Sequence, residues 1–190
     1  MFEYLGIMIG VILGLSLTYL VTGLSRLIHL RRTAKLYWVH IVWTFNIVIY
    51  VLTLWWSMFW WNNLREWTIW EFFFIVAYCT MTFVVASMLY PPKIADNTDF
   101  ERYFFDNRGW FFGTVIACTL LDIPETLAKG MVHLRAVPAQ YALFISVILA
   151  IEIIGLISDN RRVHAILCLS WLAAISCYIT FSAVETITIQ

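Results

Sequence analysis

Asp122, Glu125 and Glu152 are carboxylates set inside long apolar runs of the chain. At hydrocarbon depth a carboxylate costs at least ~2.5 kcal/mol on insertion scales, so an acid found there is a candidate for binding or moving a proton or a cation. Asp122 and Glu125 are three residues apart and share one face of a helix. Pro124 between them removes an amide donor and predicts a kink that frees a carbonyl for a water, an ion or a side chain. Glu71 and Glu185 lie nearer the ends of their runs, and Asn46 stands in mid-run with a side chain able to hydrogen-bond an acid. The expected transport pathway is Asp122, Glu125 and Glu152, with Asn46 and Glu71 as accessories.

Three of these residues, Glu125, Glu152 and Asn46, have a competing structural explanation. Lys129 follows Glu125 by four residues, the favourable order for an ion pair. Glu152 lies six residues before Ser158, roughly 9 Å along a helix, from where it could reach Arg161 or Arg162. Asn46 could serve only to tie two helices together.

Other chemistry is thinner. His29, His40 and His164 fall near one predicted membrane face and His133 near the other. A His40/His164 pair could hold a b-type haem axially, which keeps a haem- or quinone-binding redox protein among the alternatives. No His-x-x-x-His or Glu-x-x-His spacing supports a metal, so neither metal nor cofactor is expected. Cys79, Cys118, Cys168 and Cys177 form no Cys-x-x-Cys pair and read as small buried apolar residues. No P-loop, nucleophile elbow or dinucleotide fingerprint is present, and no enzyme is expected. Gly6, Gly10 and Gly14 stand four apart, with Thr18 and Thr22 continuing the row. Small residues at this spacing let helix backbones approach closely, either within one subunit or at a homodimer seam.

The elements that would position these groups follow from composition. The chain is 190 residues long, 62% hydrophobic and 13% charged, with a mean hydropathy of +0.82. Soluble domains sit near ~45–50% apolar and ~25% charged. The fold class expected is an all-α, polytopic membrane bundle in a single domain. A span needs ~20 mostly apolar residues, and six stretches qualify: 4–24, 37–59, 68–90, 109–132, 139–157 and 163–184. The first is read as a retained helix, not a cleaved signal peptide, since Glu3 replaces the usual basic start.

Nine of the twelve Lys and Arg fall in the links between spans 1–2, 3–4 and 5–6. The positive-inside rule makes these links cytoplasmic and places both termini outside. Net charge is zero, so no nucleic-acid partner is expected; the outer half carries a net −3 and the inner half +3. An acidic outer mouth would concentrate cations within the ~8–10 Å that salt allows. Trp55, Trp56, Trp60, Trp61, Trp67 and Trp70 crowd the 2–3 hairpin as an interfacial belt. Thr98 and Glu101 fit a capping box. Phe100, Tyr103 and Phe104 then share one stripe, predicting a short interfacial helix between spans 3 and 4. Residues 29–37 and 133–141 match at His29/His133, Leu30/Leu134, Arg31/Arg135 and Tyr37/Tyr141, which suggests a 3+3 inverted repeat.

Three strings, Leu27-Ile28-His29-Leu30-Arg31-Arg32, Leu36-Tyr37-Trp38-Val39-His40 and Asn107-Arg108-Gly109-Trp110-Phe111-Phe112-Gly113, resemble a family of small bacterial multi-pass membrane proteins. The resemblance covers most of the chain and implies a bacterial inner-membrane location. No activity is assigned to that family, so it contributes no catalytic or binding residues. The leading expectation is a small channel or transporter for protons or cations in contact with the lipid bilayer. The alternatives are a non-catalytic subunit or sensor that binds lipid or another membrane protein, and the redox protein above.

Overall fold

The computed structural model describes residues 2–63, 66–130, 133, 135, 137 and 140–188. Arg65 and Leu134 lie outside the described residues, as do the side chains of Glu3 and Glu185. The described chain forms six α-helices: α1 (Phe2–His29), α2 (Trp38–Ser57), α3 (Ile69–Met88), α4 (Phe100–Ala128), α5 (Tyr141–Ile157) and α6 (Arg161–Thr188). A 3-10 turn, Met58–Asn63, extends α2. Five of the six are long and apolar enough to cross a membrane. The exception is α5, whose 17 residues span about 25 Å at 1.5 Å per residue, short of a hydrocarbon core of ~30 Å.

Contacts between links sort them onto two faces. Lys35 pairs with Asp99, Arg161 with Glu101 and Arg108 with Asp159, so the α1–α2, α3–α4 and α5–α6 links meet at one end, the basic face. At the other end, the terminal face, Trp60 lies against His133 across the remaining two links, ring centroids 4.9 Å apart. The helices therefore run up and down in alternation. At the centre is α2, in contact with α1, α3, α4 and α6, while α1, α3, α4, α5 and α6 follow one another around it.

The predicted interfacial helix is not a separate element. Residues from Phe100 onward are the first turns of α4, which continues unbroken into the bundle. The cap is also one residue later than expected. The Thr98 hydroxyl is engaged with both the amide and the carbonyl of Ala95, and the Asp99 side chain accepts the Arg102 amide instead. A reciprocal capping box forms at the start of α3, between Thr68 and Glu71. The halves also do not repeat in their packing. α1 lies along α3, whereas its counterpart α4 meets α6 through rings at the basic end, with Phe104, Phe105 and Phe112 around His164.

Pro124 lies within α4, and the helix runs across it. Pro124 and Leu120, whose carbonyl loses its i+4 donor, are on the exposed face of α4. The freed carbonyl is thus turned away from the acids. The glycine row does not pack inside the subunit either. A methyl group added at Gly6 or Gly14 would meet nothing within 4 Å, and one at Gly10 would reach only Trp55 at 4.0 Å. Close helix approach occurs instead at Gly23, against the Tyr90 ring, and at Gly155, against the Phe112 ring. The tryptophans divide. Trp55, Trp56 and Trp70 are exposed as a belt requires, while Trp61 is fully buried with Trp43 and Trp171.

Candidate functional site

The inward face of α4 carries Cys118, Thr119, Asp122, Glu125, Thr126 and Lys129, at the i, i+3, i+4, i+7 intervals of one helical stripe. These residues meet polar groups of α2 with its 3-10 extension, of α3 and of α5, and they do so in layers.

The layer nearest the terminal face is an ion pair. Lys129 Nζ is 2.7 Å from Glu125 Oε1, and both side chains are 1% exposed. Trp61 donates its indole N–H to the same oxygen at 2.8 Å. The sequence-based competitor for Glu125 is therefore the arrangement found, although it is buried and not snorkelling at an interface. Beside it, burial pushes His133 down to about 4, with the Lys129 charge acting in the same direction.

One turn deeper, Asp122 accepts hydroxyls from two helices: Tyr141 of α5 at 2.6 Å and Tyr78 of α3 at 3.2 Å. Tyr50 of α2 donates in turn to Tyr78 at 3.2 Å, and Thr126 lies 3.1 Å from the Tyr141 hydroxyl. Thr82 and Cys118 flank the Tyr50 hydroxyl. The result is one hydrogen-bonded line, Thr126–Tyr141–Asp122–Tyr78–Tyr50, joining four helices. No Lys or Arg pairs with Asp122 among the described residues.

The third layer centres on Glu152, which is fully buried. Its Oε1 accepts the Thr119 hydroxyl at 2.9 Å and the Trp171 indole at 3.3 Å. The expected reach to Arg161 or Arg162 does not occur, because Arg161 is taken by Glu101 at the basic face. Asn46 sits nearby in α2 but does not hydrogen-bond an acid; its Nδ2 donates to the Cys168 carbonyl of α6 at 2.9 Å. Glu71 is engaged at the start of α3, where Oε2 accepts the Thr68 amide at 2.8 Å, and joins neither acid layer.

Below these layers lies an aromatic plug. His40 contacts the rings of Tyr90, Phe100, Tyr103 and Phe104. Phe104 packs against both His40 and His164, with centroids 6.4 and 5.3 Å away. The two imidazoles are thus arranged around a phenyl ring, not across a gap that would take a macrocycle. His164 Nε2 is also committed, 2.8 Å from the Ser158 carbonyl oxygen.

The structure therefore brings Asp122 and Glu125 together and sets Glu152 apart, with Thr119 and Glu125 six residues, roughly 9 Å, apart along α4. Two hollows on the surface lie elsewhere, one among Asp99, Glu101, Arg102, Phe105, Asp106 and Arg161, the other among Leu52, Trp55, Trp56 and Phe59. Neither reaches the acids. The partners that sequence reasoning passed over are the hydroxyls and indoles: Tyr50, Tyr78, Tyr141, Thr119, Trp61 and Trp171. No protein-family model matches the chain, and no curated protein or solved structure matches it.

Proposed function

We propose that this multi-pass membrane protein is a small transporter or channel, that its cargo is the proton or a cation, and that the proton fits the packing better. The observation that carries the reading is Asp122: a carboxylate without a counter-ion among the described residues, at the node of a hydrogen-bonded line that crosses from α5 to α2. A hydrated metal ion needs a water-filled path, and Glu125 and Glu152 are buried among side chains. A proton needs only donors and acceptors in sequence, which the carboxylate and the tyrosine and threonine hydroxyls supply. Glu125 with Lys129 forms the outer element of the pathway and Glu152 the inner one. The membrane is the bacterial inner membrane, with the basic face cytoplasmic and both termini periplasmic, as the distribution of Lys and Arg directs.

The test is flux in proteoliposomes carrying a pH-sensitive dye. Wild type is expected to dissipate a pH gradient, and Asp122→Asn to lose that flux by at least tenfold while keeping its helical circular dichroism and its gel-filtration profile. An inactive wild type, or an Asp122→Asn variant with unchanged flux, overturns the proposal.

A second reading, a non-catalytic subunit or homodimer, is favoured by one observation. Gly6 and Gly14 of α1 face open space, as an interhelical seam left for another helix would. Under that reading a single cysteine at position 14, introduced as Gly14→Cys in a background lacking exposed Cys177, cross-links to a dimer in membranes. A matched cysteine about 100° around the helix from Gly14 and away from the glycine row, Leu15→Cys, does not.

A further inference from the structure

We infer that Glu152 binds a proton as a resident ligand, standing as a neutral carboxylic acid in α5 between uncharged donors of α4 and α6. The observations are the donors and acceptors that surround it. Both donors to Glu152, Thr119 and Trp171, are uncharged, and both serve Oε1. Oε2 is buried without a protein partner. The nearby cations are placed elsewhere: Lys129 pairs with Glu125, Arg108 with Asp159 and Arg161 with Glu101, and Arg162 is exposed at the start of α6. An ionised carboxylate so placed would bear the desolvation cost of its charge with one oxygen left unsolvated. Adding a proton removes the charge and converts Oε2 from an orphan acceptor into a donor.

A complementary acceptor meets α6 at Cys168, one turn from Trp171, the donor to Glu152. Asn46 is fully buried, and its Nδ2 faces the Cys168 carbonyl, which can only accept; this fixes the amide orientation. Its Oδ1 is consequently an acceptor, and it has no donor. One turn away on α2, the Trp43 indole N–H is buried and has no acceptor, and its ring lies 5.9 Å from that of Trp171, the donor to Glu152. With Glu152 ionised, this part of the bundle holds two orphan acceptors, Glu152 Oε2 and Asn46 Oδ1, against one orphan donor, Trp43 Nε1. With Glu152 protonated, its O–H serves Asn46 and its remaining capacity receives Trp43, directly or through one bound water. A metal cation fits poorly, because Glu152 Oε1 already accepts two donors and few other oxygens are at hand to replace a hydration shell.

The use of this proton in transport rests on the proposed function, but its presence does not, and the experiment separates the two. Infrared spectra of the purified protein at neutral pH are expected to show the carbonyl stretch of a neutral carboxylic acid, shifted in heavy water. The band should be absent from Glu152→Gln, retained in Asp122→Asn, and shifted in Thr119→Val, which keeps the acid but removes one of its hydrogen bonds. It should not respond when choline chloride replaces sodium or potassium chloride. Absence of the band in wild type, its survival in Glu152→Gln, or its loss on adding sodium or potassium overturns the inference. A band with the expected behaviour in a protein that moves no protons leaves the inference standing and overturns only the transport reading.

Discussion

Lys129→Met is expected to destabilise the fold by about 3–5 kcal/mol, the cost of stranding one member of a buried ion pair. Lys129 and Glu125 are each 1% exposed in their side chains and 2.7 Å apart. Removing the ammonium leaves the Glu125 carboxylate with only the Trp61 N–H at 2.8 Å. The loss should be read as a shift of the unfolding transition in detergent titrated with a denaturing surfactant. The informative variant is the double one. With Glu125→Gln added to Lys129→Met, the charge that needed a partner is gone and the amide still accepts from Trp61. Most of the stability should return, since replacing both members of a buried pair is often close to neutral. If the two single losses add in the double variant, the pair is not coupled and the layer assigned to it is wrong.

That pair also shows which parts of the site could be read from the chain alone. Glu125 and Lys129 stand four apart on one helix, a local relation that survives into the fold. The competing partner for Glu152 was local too, but it did not form, because Arg161 at the start of α6 meets Glu101 at the start of α4. Which of two nearby partners captures a cation is decided by helix placement, and hydropathy carries no information about that. The acids themselves were conspicuous because a carboxylate inside an apolar run is rare. Their tyrosine partners were not, since Tyr50, Tyr78 and Tyr141 belong as readily to an interfacial belt as to a core.

Five spans were legible from apolar windows alone, whereas the start of α4 was not. Arg102, Asp106 and Arg108 lower the hydropathy there and suggest a break, yet none of them interrupts the backbone hydrogen bonding of a helix already capped by Asp99. Pro124 misled in the same way: its missing amide is a local fact, but the face it lies on depends on how α4 is rotated in the bundle, and that face is exposed. Glu71 was drawn into the pathway by its charge, while its real task follows from Thr68 three residues earlier, a pattern that the sequence displays openly.

Gly23→Ala is expected to be among the most damaging single-methyl changes in the bundle, although Gly23 lies outside the four-residue glycine row. The added methyl would overlap the body of the Tyr90 ring. That ring cannot retreat easily. The Tyr90 hydroxyl is 2.8 Å from the Thr44 hydroxyl, the Tyr90 backbone carbonyl accepts from the Tyr19 hydroxyl at 3.1 Å, and the ring meets His40 in a T-shaped contact, centroids 5.0 Å apart. Overpacking of this kind costs about 1–3 kcal/mol and more where neighbours are pinned, and it should loosen α1 from α3, which Tyr90 follows. Gly14→Ala is the matched control. Its methyl would enter open space, so the monomer should be unchanged or gain up to ~1 kcal/mol from the better helix former. Both are measured by the same surfactant titration, at a dilution where the protein is monomeric. A Gly14→Ala variant that loses as much stability as Gly23→Ala would mean that the row packs within the subunit after all, and α1 would have to be rotated in the bundle. The comparison separates two uses of glycine that look identical in sequence. One lets a ring lie against the backbone of its own fold, and the other leaves a helix face open to lipid or to a second chain.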